Sequence, residues 1–344
     1  MVPHLNKREQ EILTYTIHHF IDDASPVGSG KIVSNNQLDI SSATVRNTLN
    51  SLEKKGYLNQ PHTSAGRVPT QMGYRYYVNS LMQIKPLNQH ELNTLEQIKK
   101  SLFEDFDSTV FQAAQLLARL SSMLTVIISP SLAGGVLQKI DLINVSSSKL
   151  LVVLTIRSGY VKTINVEVEH QLNRNQLTYV NQILNERLSG HLMSDITEKV
   201  DEMLADKKSS DSTGLIEIFI DSADTIFAER STNKFYYGGV EYMALIPEFR
   251  DEQNYRKILE ILENENLMIH LMDQMNSKKD VNVQIGKENN LQQIKKCSVV
   301  SASYNMGQMS GKVGLVGPTR MNYGKMVSLI NTLILDISNT GTSN

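Results

Sequence analysis

The amino-acid sequence predicts an α+β protein in which a small N-terminal helical module precedes a larger domain of strands and helices. Within residues 41–55, apolar side chains recur at the spacing of one helix face, and a turn-rich reversal follows at once. Between residues 125 and 168, short β-favouring runs are separated by turns rich in serine and glycine. Strand and helix patterns alternate again after residue 246, so a helical segment is expected to interrupt one α+β domain.

The first helix is predicted at residues 7–22 and the second at residues 31–38, after a Pro- and Gly-rich interruption. Lys31 follows two glycines, but the first glycine of the G-x-x-x-x-G-K pattern is missing and no strand leads into the segment, which excludes a phosphate-binding loop. His18 and His19 have no partners at metal-ligand spacing, so no metal site is predicted.

The third helix, within residues 41–55, carries the pattern expected of a helix that reads DNA. Its N-terminus begins with two serines that can cap it, and Gly56 is expected to end it. Its apolar face consists of Val45, Leu49 and Leu52. The other faces carry short polar side chains, two amides, an arginine and a lysine. Because arginine pairs with guanine and asparagine with adenine in the major groove, this helix predicts binding to double-stranded DNA.

A β-ribbon is predicted directly after this helix, with a strand at Tyr57–Leu58, a turn at residues 62–67 and a returning strand that ends at Pro69. A helix in the major groove with a ribbon on the adjacent backbone is typical of a winged helix-turn-helix. The alternative is an ordinary helix and hairpin with a solvated polar face. The candidate DNA-binding residues are Ser41, Ser42, Thr44, Arg46, Asn47, Asn50, Lys54, His62, Ser64 and Arg67.

The rest of the chain is predicted from the same periodicities. Helical spacing covers residues 89–124, with a break expected at 107–109. Later helices are expected at residues 173–190, 196–204, 215–227 and 255–276. A final helix is expected near the end of the chain, with apolar side chains at Met326, Val327, Ile330, Leu333, Ile334 and Ile337. Strands are expected at residues 125–129, 137–145, 150–157, 160–168, 235–237, 281–285, 298–303 and 313–316.

Composition narrows the class of protein. A chain of 344 residues with 40% hydrophobic and 20% charged residues is expected to form two or three folded domains. Its one cysteine, Cys297, leaves neither a disulfide framework nor a thiolate zinc site. The sequence contains no signal-peptide pattern and no apolar run of about 18 residues, so a cytoplasmic protein without a membrane segment is expected.

The charge is unevenly divided along the chain. Residues 1–85 carry nine Lys or Arg and six Asp or Glu, whereas residues 86–344 carry 25 and 30. The net positive part coincides with the predicted DNA-reading module, where an electrostatic attraction to phosphates belongs.

Five stretches together resemble the HrcA family of heat-inducible transcription repressors. Four lie near the N-terminus and one near the C-terminus: PVGSGK (26–31), SSATVRNTLNSLEKKGYL (41–58), HTSAGRVPT (62–70), GYRYYVNSL (73–81) and GLVGPTRMNYGK (314–325).

The resemblance implies a function and a domain plan. It implies a DNA-binding repressor of heat-shock (chaperone) operons that binds a promoter inverted repeat as a homodimer, assisted by a GroE-type chaperonin and without a cofactor. The implied domains are a winged helix (1–86) and a GAF-like domain in two parts (87–190 and 246–344), interrupted by a dimerisation insert (191–245).

The predicted insert is unusually rich in apolar and aromatic side chains. They are Ile216, Ile218, Phe219, Ile220, Ile226, Phe227, Phe235, Tyr236 and Tyr237. So small a segment is expected not to bury all of them alone, which predicts that they form the dimer interface. The alternative is that they pack under the neighbouring sheet domain.

Two other functions are compatible with a protein of this composition. A GAF-like fold often encloses a small-molecule pocket, so a ligand-sensing winged-helix regulator is the alternative reading, although no convergent polar cluster is evident. An enzyme is not expected. The Ser-x-x-Lys spacings at Ser51 and Ser146 lie on a charged helix and in a turn, and no other catalytic motif is present.

Overall fold

The computed structural model of the protein describes residues 4–36, 39–62, 65–101, 106–168, 173–209, 211–227, 234–273 and 281–340. Within them the strands form three antiparallel sheets of two, five and three strands, each accompanied by helices. The predicted α+β class is therefore confirmed. None of the helices in these ranges is long and apolar enough to cross a lipid bilayer.

The N-terminal module consists of four helices and a two-stranded ribbon. In chain order its elements are α1 (Lys7–Asp23), α2 (Ser29–Asn36), α3 (Ser42–Lys54), β1 (Leu58–Asn59), β2 (Val68–Pro69) and α4 (Gln71–Tyr76), which continues as a π-helical turn (Tyr77–Leu81). The predicted limits of α1 and α3 agree with these to within one or two residues, whereas α2 begins two residues before its predicted start.

The core of this module is built on the predicted apolar face of α3. Val45, Leu49 and Leu52 are 0%, 4% and 0% exposed, and they belong to one cluster with the buried residues of α1 and α2. At 25 cal/mol per Å² of apolar surface, each such side chain contributes about 1.5–3 kcal/mol. Burial of this face fixes which side of α3 is left to solvent.

A five-stranded sheet forms the centre of the larger domain, in the order β7-β3-β10-β9-β8. Its strands are β3 (Leu124–Ile128), β7 (Phe235–Gly238), β8 (Asn282–Ile285), β9 (Cys297–Met306) and β10 (Met309–Pro318). The helices around it are α5 (Gln89–Ser101), α6 (Phe106–Ser121), α11 (Val240–Leu245), α12 (Glu252–Glu263), α13 (Glu265–Asp273) and α14 (Tyr323–Thr340). Two buried apolar clusters cover its faces, one with α6 and α14 and the other with α11, α12 and α13.

Two helix breaks differ from the predictions. The predicted stretch over 89–124 is divided into two helices, but a few residues earlier than the break expected around 107–109: α5 ends at Ser101 and α6 begins at Phe106. The polar residues 107–109 occupy the first turn of α6, where Asp, Ser and Thr are favoured. The helix expected over 255–276 is divided at Asn264, whose side chain accepts a hydrogen bond from the backbone N–H of Leu267 (3.2 Å) and so begins α13.

The three-stranded sheet and its helices form a separate unit within the larger domain. Its elements are β4 (Leu137–Ser146), β5 (Lys149–Ile156), β6 (Val161–Glu167), α7 (Arg174–Leu188), α8 (Met193–Lys208), α9 (Leu215–Asp221) and α10 (Ala223–Ile226). Val136 pairs with Leu192, and Lys162 donates to the carbonyl of Ile226 (3.1 Å), so the helices after residue 190 are tied to strands before it. We call residues 136–227 the three-stranded unit.

The predicted limits of the insert do not coincide with these sheets. The boundary expected at residue 190 falls inside the three-stranded unit, whereas the strand within the predicted insert, β7, lies in the five-stranded sheet beside β3. The reason is that strand pairing joins segments far apart in sequence, which local composition does not reveal. The helix predicted over 215–227 is also divided, at Ser222, into α9 and α10.

Part of the expected dimer surface of the insert is internal. Four of its nine apolar residues are at most 1% exposed: Ile216, Phe219, Ile226 and Phe227. The rings of Phe219 and Phe227 lie 6.1 Å apart, in the same cluster as the inward face of β5. The prediction that these four form an interface between subunits is wrong, because the neighbouring sheet and α8 already cover them.

Candidate nucleic-acid interface

The N-terminus of α3 is fixed by the two predicted serines. The Ser41 hydroxyl accepts a hydrogen bond from the backbone N–H of Thr44 (3.1 Å), which makes Ser41 the N-cap. The Ser42 hydroxyl lies 2.9 Å from that of Ser29, at the start of α2. The exposed first turn of α3 is therefore positioned against α2 by its own hydroxyl groups, and Thr44 lies at its edge.

Arg46, Asn47 and Lys54 are exposed on α3. Among the described residues neither Arg46 nor Lys54 forms an ion pair, whereas Lys31, Lys55, Arg67 and Arg75 of the same module are paired with carboxylates. The positive charge that α3 offers to an anionic partner is therefore concentrated on Arg46 and Lys54. Arg46 lies near the helix N-terminus, the end that meets base edges in helix-turn-helix proteins.

Arg67 and Asn50 occupy a different environment from the one expected. The Arg67 guanidinium donates to the side-chain oxygen of Asn50 (2.7 Å) and pairs with the Glu53 carboxylate (2.8 Å), and its side chain is only 13% exposed. Both contacts are made by Nη2, so Arg67, a candidate DNA-binding residue, is also the side chain that links the ribbon to α3. Asn50 is likewise half-buried and engaged.

The ribbon is held to the rest of the module at the same point. Val27 and Arg67 exchange two backbone hydrogen bonds of 2.9 and 2.8 Å. The preceding residue, Gly66, approaches Val27 so closely that an added Cβ would lie 2.4 Å from the Val27 carbonyl carbon, so only glycine fits. The ribbon is thus fixed to α3 through Arg67 and to the segment before α2 through its backbone.

The tip of the ribbon contains His62 and Ser64. His62 is exposed, and its carbonyl accepts a hydrogen bond from the N–H of Ala65 (2.9 Å). Ser64 lies outside the described residues. His62 is therefore a candidate residue of the tip whose exposure the structure describes.

Sequence reasoning missed Glu9 and Glu53, the two carboxylates that orient α3. Glu9 caps α1 through Asn6, accepts from Ser51 (2.8 Å) and pairs with Lys55 (2.7 Å). Burial raises the pKa of Glu9, but hydrogen bonds from Lys55, Asn6 and Ser51 outweigh it and hold the pKa below its ordinary value. The first link, Asn6–Glu9, follows the capping-box spacing and can be found in the sequence. The links to α3 cannot, because their partners lie more than 40 residues away.

One cavity of the larger domain is too small for a small-molecule ligand. A cavity between the five-stranded sheet and α12–α13 is lined by apolar side chains alone and leaves about 10 Å³ for the centre of a water molecule, enough for one water. Burial raises the pKa of the Cys297 thiol to about 12, so it stays protonated. In the same described ranges, no three His, Cys, Asp or Glu side chains come together as metal ligands do.

The N-terminal module thus has a capped helix with exposed cations and an exposed amide, and a ribbon is fixed to that helix. Such a module, followed by a larger α+β domain, is typical of a DNA-binding transcription regulator.

Comparison with known proteins identifies the family. The family of the HrcA protein C-terminal domain matches residues 107–327. A heat-inducible transcription repressor HrcA from Chlorobium luteolum is 36% identical over 340 residues, covering 95% of each chain. One from Halalkalibacterium halodurans is 32% identical and covers 97% of each.

The chain belongs to the HrcA family of heat-inducible transcription repressors. A crystal structure of a hypothetical protein, solved at 2.2 Å resolution, has the same fold. It covers 98% of this chain and 99% of its own, with a TM-score of 0.66 and 23% sequence identity.

Proposed function

We propose that the N-terminal module is a winged helix that binds an inverted repeat in the promoters of heat-shock (chaperone) operons and represses their transcription. The observation that carries this proposal is the exposure of Arg46 and Asn47, near the capped N-terminus of α3 and beside a ribbon fixed to that helix. In this arrangement α3 enters the major groove and the ribbon lies on the flanking backbone.

The ten candidate residues divide into three roles. Arg46 and Asn47 contact base edges, Arg46 as a bidentate donor to guanine. Ser42, Thr44, Lys54, His62 and Ser64 contact the phosphate backbone. Ser41, Asn50 and Arg67 position the others, Ser41 as the helix cap and the other two as the link between α3 and the ribbon.

The larger domain is proposed to be GAF-like around the five-stranded sheet, with the three-stranded unit as its insertion. An inverted repeat requires a twofold symmetric partner, so the occupant proposed for its interface is a second copy of this chain. The outward face of the three-stranded sheet supplies apolar side chains for it, because Ile143, Val145 and Val161 are 50%, 58% and 50% exposed. The proposed dimer surface is therefore the outward face of the three-stranded sheet, and the buried residues of α9 and α10 are no longer part of it.

Assistance by a GroE-type chaperonin completes the proposal and rests on the family resemblance alone. Adding the purified chaperonin to freshly refolded protein is expected to raise the fraction that binds operator. An unchanged active fraction would remove the chaperonin from the proposal and leave DNA binding untouched.

DNA binding is tested by selecting duplexes from a random-sequence pool with the full-length protein. The recovered sequences are expected to contain an inverted repeat, and scrambling one of its half-sites should weaken binding by about 10- to 100-fold at fixed salt. Recovery of sequences without twofold symmetry would contradict binding as a symmetric dimer. Recovery of no preferred sequence would contradict sequence-specific binding.

The dimer surface is tested with Ile143→Lys combined with Val161→Lys, and mass is measured by light scattering. The variant is expected to be a folded monomer. Leu245→Lys in α11 is the matched control, because Leu245 is 70% exposed but lies outside the three-stranded unit. A dimeric double variant would locate the interface elsewhere.

A further inference from the structure

One of the five family-like stretches, residues 314–325, has no part in the DNA-contacting surface. It runs from the end of β10 into the first turn of α14. Arg320, Gly324 and Lys325 lie against helix α1, the linker that follows the N-terminal module and the start of α5, respectively.

Arg320 contacts the C-terminal end of helix α1, near the other end of the chain. Its guanidinium forms a two-pronged pair with Glu248 (2.5 and 3.1 Å), and its remaining nitrogen donates to the carbonyl oxygen of Ile21 (3.1 Å). Ile21 lies in the last turn of α1, where carbonyls lack helical partners and a cation is favoured. Helix α1 has no basic residue in its own last turn. Arg320, whose side chain is 14% exposed, supplies that cation.

A second arginine makes the reciprocal contact from the N-terminal module. Arg75 of α4 pairs with Glu288 and donates to the carbonyl of Val283 in β8 (2.7 Å). Beside it, the backbone N–H of Lys287 donates to the side-chain oxygen of Gln71 (3.1 Å). The two arginines thus hold α1 and α4 against different parts of the larger domain.

The linker between the two parts is held against α14. Gly324 lies so close to it that an added Cβ would be 2.8 Å from the carbonyl oxygen of Gln83. The Ser328 hydroxyl donates to the carbonyl of Lys85. Lys325 pairs with Glu91 (2.9 Å) at the start of α5. The N-terminal module and its linker are therefore both held in place by contacts with the larger domain.

We propose that Arg320 and Arg75 form a clasp that fixes the orientation of the DNA-binding module and thereby sets which half-site separation the dimer accepts. This inference rests on the proposed dimeric function. A dimer on duplex DNA must place its two helices at a separation that matches the helical repeat. A clasped module enforces one separation, whereas a module on a flexible tether accepts several. Arg320 and Arg75 are positioning residues and do not touch DNA.

The experiment measures binding to the selected inverted repeat with its spacer unchanged, changed by one or two base pairs, and lengthened by about half a helical turn. Wild-type protein is expected to lose about 10-fold or more in affinity on the altered spacers. The Arg75→Ala/Arg320→Ala variant is expected to bind a single half-site within about 2-fold of wild type but to lose most of the preference for one spacer.

The matched control is Arg256→Ala, which removes an arginine paired with Glu252 on the exposed face of α12. It should keep the wild-type spacer profile. Circular dichroism and gel filtration establish that the double variant is folded and dimeric. If it is not, Arg320→Lys replaces it, because lysine keeps the charge at the end of α1 but loses the two-pronged pair.

The outcomes separate the clasp from the proposed function. Wild-type protein that binds no inverted repeat contradicts the proposed function. Wild-type protein that binds the repeat with no spacer preference, or a folded double variant with an unchanged profile, overturns the clasp alone. Tighter operator binding by the double variant with an unchanged profile also overturns it, since the contacts would then be inhibitory.

Discussion

Helix α3 and the helix pair α9–α10 both carry strong apolar patterns, but their environments differ. The apolar face of α3 packs within its own module and leaves Arg46 and Asn47 exposed, as the sequence predicts. In and directly after α9 and α10, four of the apolar residues expected at a subunit interface are instead buried inside the chain: Ile216, Phe219, Ile226 and Phe227. Periodicity therefore indicates that a side chain is buried. It does not indicate whether the covering surface belongs to the same chain or to another.

The burial of the α9–α10 residues within the chain is tested most strongly by Phe219→Ala. Because Phe219 is fully buried, its removal leaves a cavity and is expected to reduce the free energy of unfolding by about 3–5 kcal/mol. Urea denaturation monitored by circular dichroism measures this, with Tyr237→Ala as a control at an aromatic residue that is 44% exposed. A Phe219→Ala protein of normal stability that no longer dimerises would restore the original interface hypothesis.

Arg67→Ala tests the link between the ribbon and α3. It leaves Glu53 and Asn50 without their shared donor, and the N-terminal module should lose about 1.5–3 kcal/mol of stability. Operator affinity is expected to fall while its salt dependence stays unchanged, because the role proposed for Arg67 is to hold the ribbon to α3.

Lys54→Ala is the matched control for Arg67, since Lys54 is exposed and unpaired among the described residues. It should lower the slope of log affinity against log salt by about 1 and leave stability unchanged. A reduced slope for Arg67→Ala as well would return Arg67 to the phosphate-contacting set.

Arg46→Ala addresses the exposed face of α3. Operator affinity is expected to fall by about 1–3 kcal/mol, with relaxed preference at one base position and little change on random duplexes. Fluorescence anisotropy with operator variants at that position measures the effect. Equal losses on operator and random DNA would assign Arg46 to the backbone.

Ser41→Ala is expected to have the smallest effect. Loss of the hydroxyl that accepts from Thr44 should destabilise α3 by about 1 kcal/mol, with a proportionate fall in operator binding. Ser42→Ala is the control, because the Ser42 hydroxyl contacts Ser29 and does not cap the helix. If the two variants lose the same stability, the N-cap assignment fails.

Much of the N-terminal module could be predicted because its determinants are local. The cap at Ser41, the apolar spacing of α3 and the reversal after Gly56 all lie within 30 residues. The three strands from 137 to 167 were predicted for the same reason, since each is a short run bounded by turns. The family was also identified from the sequence, because its stretches are long and ordered along the chain.

The sequence by itself determined the α+β class, the family, most element positions and the side of α3 that faces solvent. These depend on periodicity, capping and residue type, which act over a few neighbouring positions. The tertiary structure decided the partners of Arg67 and Arg320, the burial of Phe219 and the pairing of β7 with β3. The ion pairs and the strand pairing join segments separated by at least 14 residues, and no local pattern specifies which distant carboxylate, strand or apolar face will be brought beside a given side chain.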